Sequence, residues 1–444
     1  MNDFLSTTPN EKDECKPTLL SGGCLTDQQQ LHPQNLKGSS FLEEKTSAKK
    51  AFLLLIKAFI GTGVLFLPKA FSNGGLLFSI VFLAIVAAIT SAAMLLLVKV
   101  RLQVPGDFGA ISEQIYGRPM KLLVMSSITI SQMGFCCTYF IFVAQNLYDL
   151  THSLSNCRVD IPVIYFILLQ LVVYVPFSLI RKIKAFSYAA LLADVFILVG
   201  IAYILYRNVE QLATVGVGKI QLFNPKDYPL FIGTALFSYE GIGLVLPIVN
   251  SMKEPKRFPL VLTSVIVAVT VIFITVGAMS YSAFGDKTET IVLLNLPRAH
   301  PMTITVQMFY VLAILLTLPL MLFPAVDIFE QGIFGDKSGG KSNMVKWQKN
   351  LFRTLMCFAL AVIAWGGASN LDNFVSLIGS FGCIPLLFIY PAMLHYKAIA
   401  SKPIYKIGNG VFIALGFVVM VFVTYISIQS WSTAEIVNRC SPRA

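Results

Sequence analysis

Glu240 is followed at once by Gly241-Ile242-Gly243 and soon after by Pro247, and the same glycine and proline punctuation occurs 180 positions earlier as Gly61-Thr62-Gly63 and Pro68. Clusters of this kind interrupt a helix. An interruption frees backbone N–H and C=O groups, and the N–H end carries the positive pole of the helix dipole. The break at Gly61, Thr62 and Gly63 therefore suits the carboxylate of an amino acid, with the Thr62 hydroxyl as a further contact. At the second break Gly241 and Gly243 free carbonyls and N–H groups, while Ser238, Tyr239 and Glu240 offer partners to an ammonium group. Together the two breaks describe a trap for a zwitterion. Close helix packing through small residues accounts equally for either Gly-x-Gly taken alone. Two matched breaks, each with a proline and one with a carboxylate, favour a shared site.

The elements that hold such breaks belong in a bilayer. Hydrophobic residues make up 56% of the chain and charged residues 13%, with a mean hydropathy of +0.72, against about 25% charged in soluble domains. The chain reads as a polytopic, all-α membrane protein with lipid as its surroundings. Its net charge of +11 does not indicate nucleic acid, because the basic residues sit in short connections between apolar runs, where they set orientation.

Runs of about 20 apolar residues predict eleven spans, near 51–71, 76–98, 119–150, 161–180, 185–206, 229–250, 258–284, 303–332, 351–369, 371–396 and 408–430. Alternate connections carry 21 and eight Lys or Arg residues, which places the amino terminus in the cytosol and the carboxyl terminus across the membrane. The broken first span then runs outward and the broken sixth inward. That is a 5+5 inverted repeat with discontinuous helices 1 and 6, plus one extra helix. Residues 1–50 read as a disordered cytosolic tail, 51–430 as the membrane domain and 431–444 as a short tail on the far side.

Ionisable residues inside spans are costly and therefore candidates for function. Glu240, beside the second break, is a candidate proton carrier or a fixed acceptor that caps the broken helix. Lys57 and Asp194 could pair, as a gate that opens and closes or as a static pair that neutralises both charges. Asp327 and Glu330 are expected at the cytosolic interface. The stretch Tyr310–Pro319 offers only Thr317 as an aliphatic hydroxyl, which argues for protons over sodium as the coupling ion. Phe59, Tyr139, Phe237 and Tyr310 are candidates for the side-chain pocket, with core packing as the alternative. No metal, cofactor or enzymatic constellation is read from the chain, and no protein partner either; a monomer is compatible with it. Cys157 and Cys440 both fall on the far side, where a disulfide and two free thiols are both open.

The stretch Leu55-Ile56-Lys57-Ala58-Phe59-Ile60-Gly61-Thr62-Gly63-Val64-Leu65-Phe66-Leu67-Pro68 resembles the first segment of the amino acid/auxin permease family, and within it the fungal vacuolar amino acid exporters of Avt type. Phe237-Ser238-Tyr239-Glu240-Gly241-Ile242-Gly243 through Pro247, Tyr281-Ser282-Ala283-Phe284-Gly285-Asp286 and Ile378-Gly379-Ser380-Phe381-Gly382 are similar too. The resemblance implies the amino acid–polyamine–organocation fold, substrate held at the two broken helices, and proton-coupled movement of amino acids from the lumen of a vacuole to the cytosol. It assigns the substrate carboxylate to Gly61, Thr62 and Gly63 and gives Glu240 a part in transport. Leu54 stands where related animal symporters carry a histidine. The alternative is an amino acid sensor that signals through the cytosolic tail.

Overall fold

Thr46 and Ser47 lead into the first membrane helix. A computed structural model describes residues 46–181, 187–298, 300–335 and 343–431. Thr46 N–H donates to the Ser251 carbonyl at 2.6 Å and the Thr46 carbonyl accepts from Lys253 N–H at 2.9 Å, an isolated bridge between distant parts of the chain. Ser47 caps the helix by accepting from Lys50 N–H at 3.4 Å. The first helix thus begins at Ala48, three residues before the expected span, and the rest of the expected tail, residues 1–45, lies outside the described residues. So do residues 432–444, with Cys440. Cys157 is disulfide-bonded, and Cys136, Cys137, Cys357 and Cys383 are free.

The chain folds into α1 (Ala48–Phe59), α2 (Gly63–Gly74), α3 (Leu76–Gln103), α4 (Phe108–Tyr116), α5 (Arg118–Leu154), α6 (Val163–Ser178), α7 (Ser187–Thr214), α8 (Tyr228–Ser238), α9 (Ile242–Ser251), α10 (Phe258–Phe284), α11 (Pro301–Phe334), α12 (Asn343–Gly367), α13 (Leu371–Leu377), α14 (Tyr390–Ala398) and α15 (Pro403–Gln429). Among the described residues eight helices are long and apolar enough to cross a membrane, or nine when the bent pair α1 and α2 counts as one. The sequence expectation of eleven differs in two places. Helix α6 has 16 residues, about 24 Å, less than the roughly 30 Å hydrocarbon core. The expected spans 351–369 and 371–396 form one helical run of 56 residues, Asn343–Ala398, because the Ala368–Asn370 connection is itself a tight helical turn.

Two features have no counterpart in the sequence reading. Helix α4 is a nine-residue element capped by Asp107, whose Oδ1 accepts from Ala110 N–H at 2.7 Å. Between α13 and α14 the backbone winds into π-helical turns over Ile378–Cys383 and Pro385–Ile389. Their Gly379 presses on α8: a Cβ there would strike the Gly233 carbonyl, and a Cβ on Gly233 would strike Ser376. Small residues let these backbones touch.

Hydroxyls in the apolar helices turn back on their own backbone. Ser238 donates to the Thr234 carbonyl at 2.9 Å and Thr317 to the Ala313 carbonyl at 2.9 Å, which satisfies them without a partner helix. The central aromatic core joins Phe237 to Phe135 and Phe66, with centroids 4.5 and 6.0 Å apart, and Phe66 to Phe142 at 6.2 Å. Edge-on and tilted contacts of this kind fasten the interrupted helices α2 and α8 to α5.

Candidate functional site

The first break closes α1 with a tightened turn. Ile60 N–H still donates to the Ile56 carbonyl at 2.9 Å and Gly61 N–H to the Phe59 carbonyl at 3.1 Å. Helix α2 restarts at Gly63, and its axis is turned by 54° from that of α1. The first N–H groups of a helix have no intrahelical acceptor, so those of α2 face the break. Thr62 makes no side-chain capping bond. Its hydroxyl engages Tyr139 of α5 instead.

The second break is gentler. Tyr239 N–H donates to the Ala235 carbonyl at 3.2 Å, Glu240 N–H to the Phe237 carbonyl at 3.4 Å, and Leu244 N–H to the Gly241 carbonyl at 3.1 Å as α9 begins. Helices α8 and α9 keep nearly one direction, so Tyr228–Ser251 counts as a single span of 24 residues. The interruption predicted there is present, with less bending than at the first.

The four glycines divide into two kinds. A Cβ on Gly63 would lie 3.0 Å from the Ser238 Cα, and one on Gly241 would lie 2.7 Å from the Phe59 ring. Each break thus uses one glycine to seat a residue from the other. Gly61 and Gly243 meet nothing within 4 Å. They border open space, as a site requires and as packing alone does not.

Glu240 is partly accessible at this junction, and among the described residues no ion pair or side-chain hydrogen bond engages its carboxyl group. Tyr139 and Cys383 lie within its electrostatic reach. Cys383 was not expected here. The π-helical turns bring it round, and no periodic signal in an all-apolar stretch announces them.

Several expected contacts are committed elsewhere. The Tyr239 hydroxyl pairs with the Thr270 hydroxyl at 2.7 Å and its ring packs on Phe273, so only its backbone remains at the break. Phe59 covers Gly241, and Phe237 is locked between Phe66 and Phe135. The Tyr310 hydroxyl donates to the Ile197 carbonyl at 3.1 Å with its ring over Gly200, which makes it a core residue. Of the four aromatic candidates Tyr139 alone reaches both Thr62 and Glu240.

The charged candidates separate as well. Lys57 Nζ and Asp194 Oδ2 meet at 2.6 Å across α1 and α7, each about a third exposed. Their pairing, one turn before the first break, ties the broken helix to α7. Asp327 accepts from Gln331 at 2.8 Å. Glu330 is buried rather than interfacial, bonded by Arg353 Nε at 2.6 Å and Lys349 Nζ at 3.2 Å.

Comparison with known proteins gives a concordant result. A family profile described as transmembrane amino acid transporter protein matches residues 44–429. Vacuolar amino acid transporter 3 of Schizosaccharomyces pombe is 44% identical over 414 residues, 93% of this chain and 63% of its own length. Vacuolar amino acid transporter 3 of Saccharomyces cerevisiae is 43% identical over 396 residues, 87% of this chain and 57% of its own. The chain therefore spans about three-fifths of the length of these relatives. The inward-facing conformation of Mhp1 superposes with a TM-score of 0.61 at 13% identity, covering 87% of this chain and 91% of that one. At that identity the likeness concerns the fold, which is LeuT-like.

Proposed function

The chain belongs to the transmembrane amino acid transporter protein family, and on that premise we propose that it is a proton-coupled secondary transporter that moves amino acids across a vacuolar membrane by alternating access. The observation that carries this reading is the unpartnered Glu240 carboxyl group at the meeting of two interrupted helices whose Gly61 and Gly243 border open space. Interrupted helices near mid-membrane hold substrate in transporters of this architecture.

The N–H groups at the start of α2 take the substrate carboxylate, assisted by Thr62. Its ammonium group turns to the Tyr239 carbonyl region and Glu240. Loading of a proton on Glu240 and of the zwitterion beside it favours one orientation of the bundle, and release of both favours the other. The Lys57–Asp194 pair stands where α1 must part from α7 for the cytosolic side to open. We read eleven crossings, with α6 as a short crossing and Asn343–Ala398 as two, arranged as two inverted five-span halves and one extra helix. The amino terminus is then cytosolic, the carboxyl terminus lumenal, and the outward proton gradient of the vacuole drives amino acids into the cytosol. Names of the fungal relatives support the vacuolar address and the substrate class.

The test is amino acid flux in proteoliposomes under an imposed pH gradient, with Glu240→Gln and Gly61→Val beside the wild type. Gradient-driven flux that both variants lose while still inserting supports the proposal. Binding without flux under either gradient would replace it with a sensor.

A further inference from the structure

The interior between α5, α6, α11 and α12 carries polar groups in register. Arg353 and Cys357 are one turn apart on α12, Tyr174 and Ser178 one turn apart on α6, and Cys136 and Tyr139 share a face of α5. These faces meet. Arg353 Nη1 donates to the Ser178 carbonyl at 2.8 Å, and the Cys357 thiol engages Ser178. Tyr174 packs on Phe140 of α5 with ring centroids 4.6 Å apart, and the Cys137 thiol donates to the Leu360 carbonyl of α12 at 3.6 Å.

Followed from the Glu330–Arg353–Lys349 cluster, the series climbs in one direction, about 6 Å for each helical turn. It passes Ser178 and Cys357, then Tyr174, then Cys136 and Tyr139, and ends at Glu240. Its lower end approaches water, since Arg181 and the first turn of α12 are exposed.

Tyr174 is the anomaly in this seam. It is 0% exposed, and its hydroxyl has no hydrogen-bond partner in the protein. Such a group costs about 1–3 kcal/mol if left unmet, and buried hydroxyls are met, where the protein does not do so, by ordered water. Neighbours able to share that water stand on three helices: Cys136, Tyr139 and Cys357.

We propose that this seam holds a file of water molecules, positioned by Tyr174, that conducts the proton between Glu240 and the Glu330–Arg353 cluster apart from the path of the amino acid. The inference rests on the proton-coupled reading above. The proton leaves the Glu240 carboxyl group for the first water, leaving a carboxylate, each water passes one proton on, and one is released at the far end; no other bond changes.

The experiment uses the full chain in liposomes with an internal pH dye and radiolabelled amino acid, and measures proton flux, gradient-driven uptake and exchange at equal pH. Tyr174→Phe and Cys357→Val are expected to keep exchange and lose proton flux and gradient-driven uptake, whereas Cys357→Ser retains all three. Wild-type proton flux in both Tyr174→Phe and Cys357→Val overturns the seam and leaves proton coupling intact. Loss of exchange together with flux in both variants makes the residues structural and also overturns it. Wild-type uptake with no proton movement removes the premise instead, and is recognised before any variant is examined.

Discussion

Gly63 lies so close to Ser238 that a Cβ at Gly63 would stand 3.0 Å from both the Ser238 Cα and Oγ, while Gly61, two residues earlier, has no neighbour within 4 Å of the same position. The two glycines of one motif thus do different work. Gly63→Ala is expected to destabilise the protein by about 1–3 kcal/mol through overpacking, seen as a lower melting temperature in detergent. Gly61→Ala should leave melting unchanged and weaken amino acid binding, because the methyl group enters the open side of the break. Equal melting temperatures for the two variants would contradict this division.

Lys57 and Asp194 join α1 to α7 at 2.6 Å. The pair is partly exposed, so its loss is worth less than that of a buried pair. Lys57→Ala and Asp194→Ala should each favour parting of the two helices by about 1 kcal/mol, roughly a fivefold shift in population. Spin labels on α1 and α7 would report it as a longer distance distribution. Exchange of the two charges, Lys57→Asp with Asp194→Lys, should restore the short distances if the pair itself holds them.

The Tyr239 hydroxyl is occupied by Thr270 at 2.7 Å. Tyr239→Phe is therefore expected to leave the substrate KM unchanged and to cost about 0.6 kcal/mol of stability, the usual worth of one hydrogen bond between membrane helices. A large rise in KM would place that hydroxyl on the substrate instead.

Arg353 binds the buried Glu330 at 2.6 Å and the Ser178 carbonyl at 2.8 Å. Arg353→Met strands a carboxylate whose remaining partner is Lys349 at 3.2 Å, and should destabilise by about 3–5 kcal/mol. The double variant Arg353→Met with Glu330→Leu should recover much of that loss in a thermal unfolding assay, since no uncompensated charge then remains.

The two breaks were legible in the sequence because Gly-x-Gly followed by proline is a local signal that needs no knowledge of neighbours. The Lys57–Asp194 pair was legible because charges within spans are scarce and must find each other. The lining of the site was not. Phe59, Tyr139, Phe237 and Tyr310 have the same chemistry and nearly the same burial, so only the packing of α5, α7 and α10 decides that Tyr139 reaches the break while Tyr310 fills the core over Gly200. Nor could spacing reveal Cys383 or the joined run through 368–370, because helices apolar on every side carry no periodic mark of which face is turned inward.

The π-helical turns over Ile378–Ile389 make this stretch sensitive to length rather than to composition. A helix advances about 100° per residue, and a π turn absorbs a residue that an α-helix would have no room for. Deleting a single residue there would let the stretch relax to ordinary α winding and swing everything after it by that angle, carrying Cys383 away from Glu240 or turning α14 out of register with α15. Conversely, replacing any one of its apolar side chains with another of like size leaves the winding intact. The segment is a spacer whose information lies in its residue count.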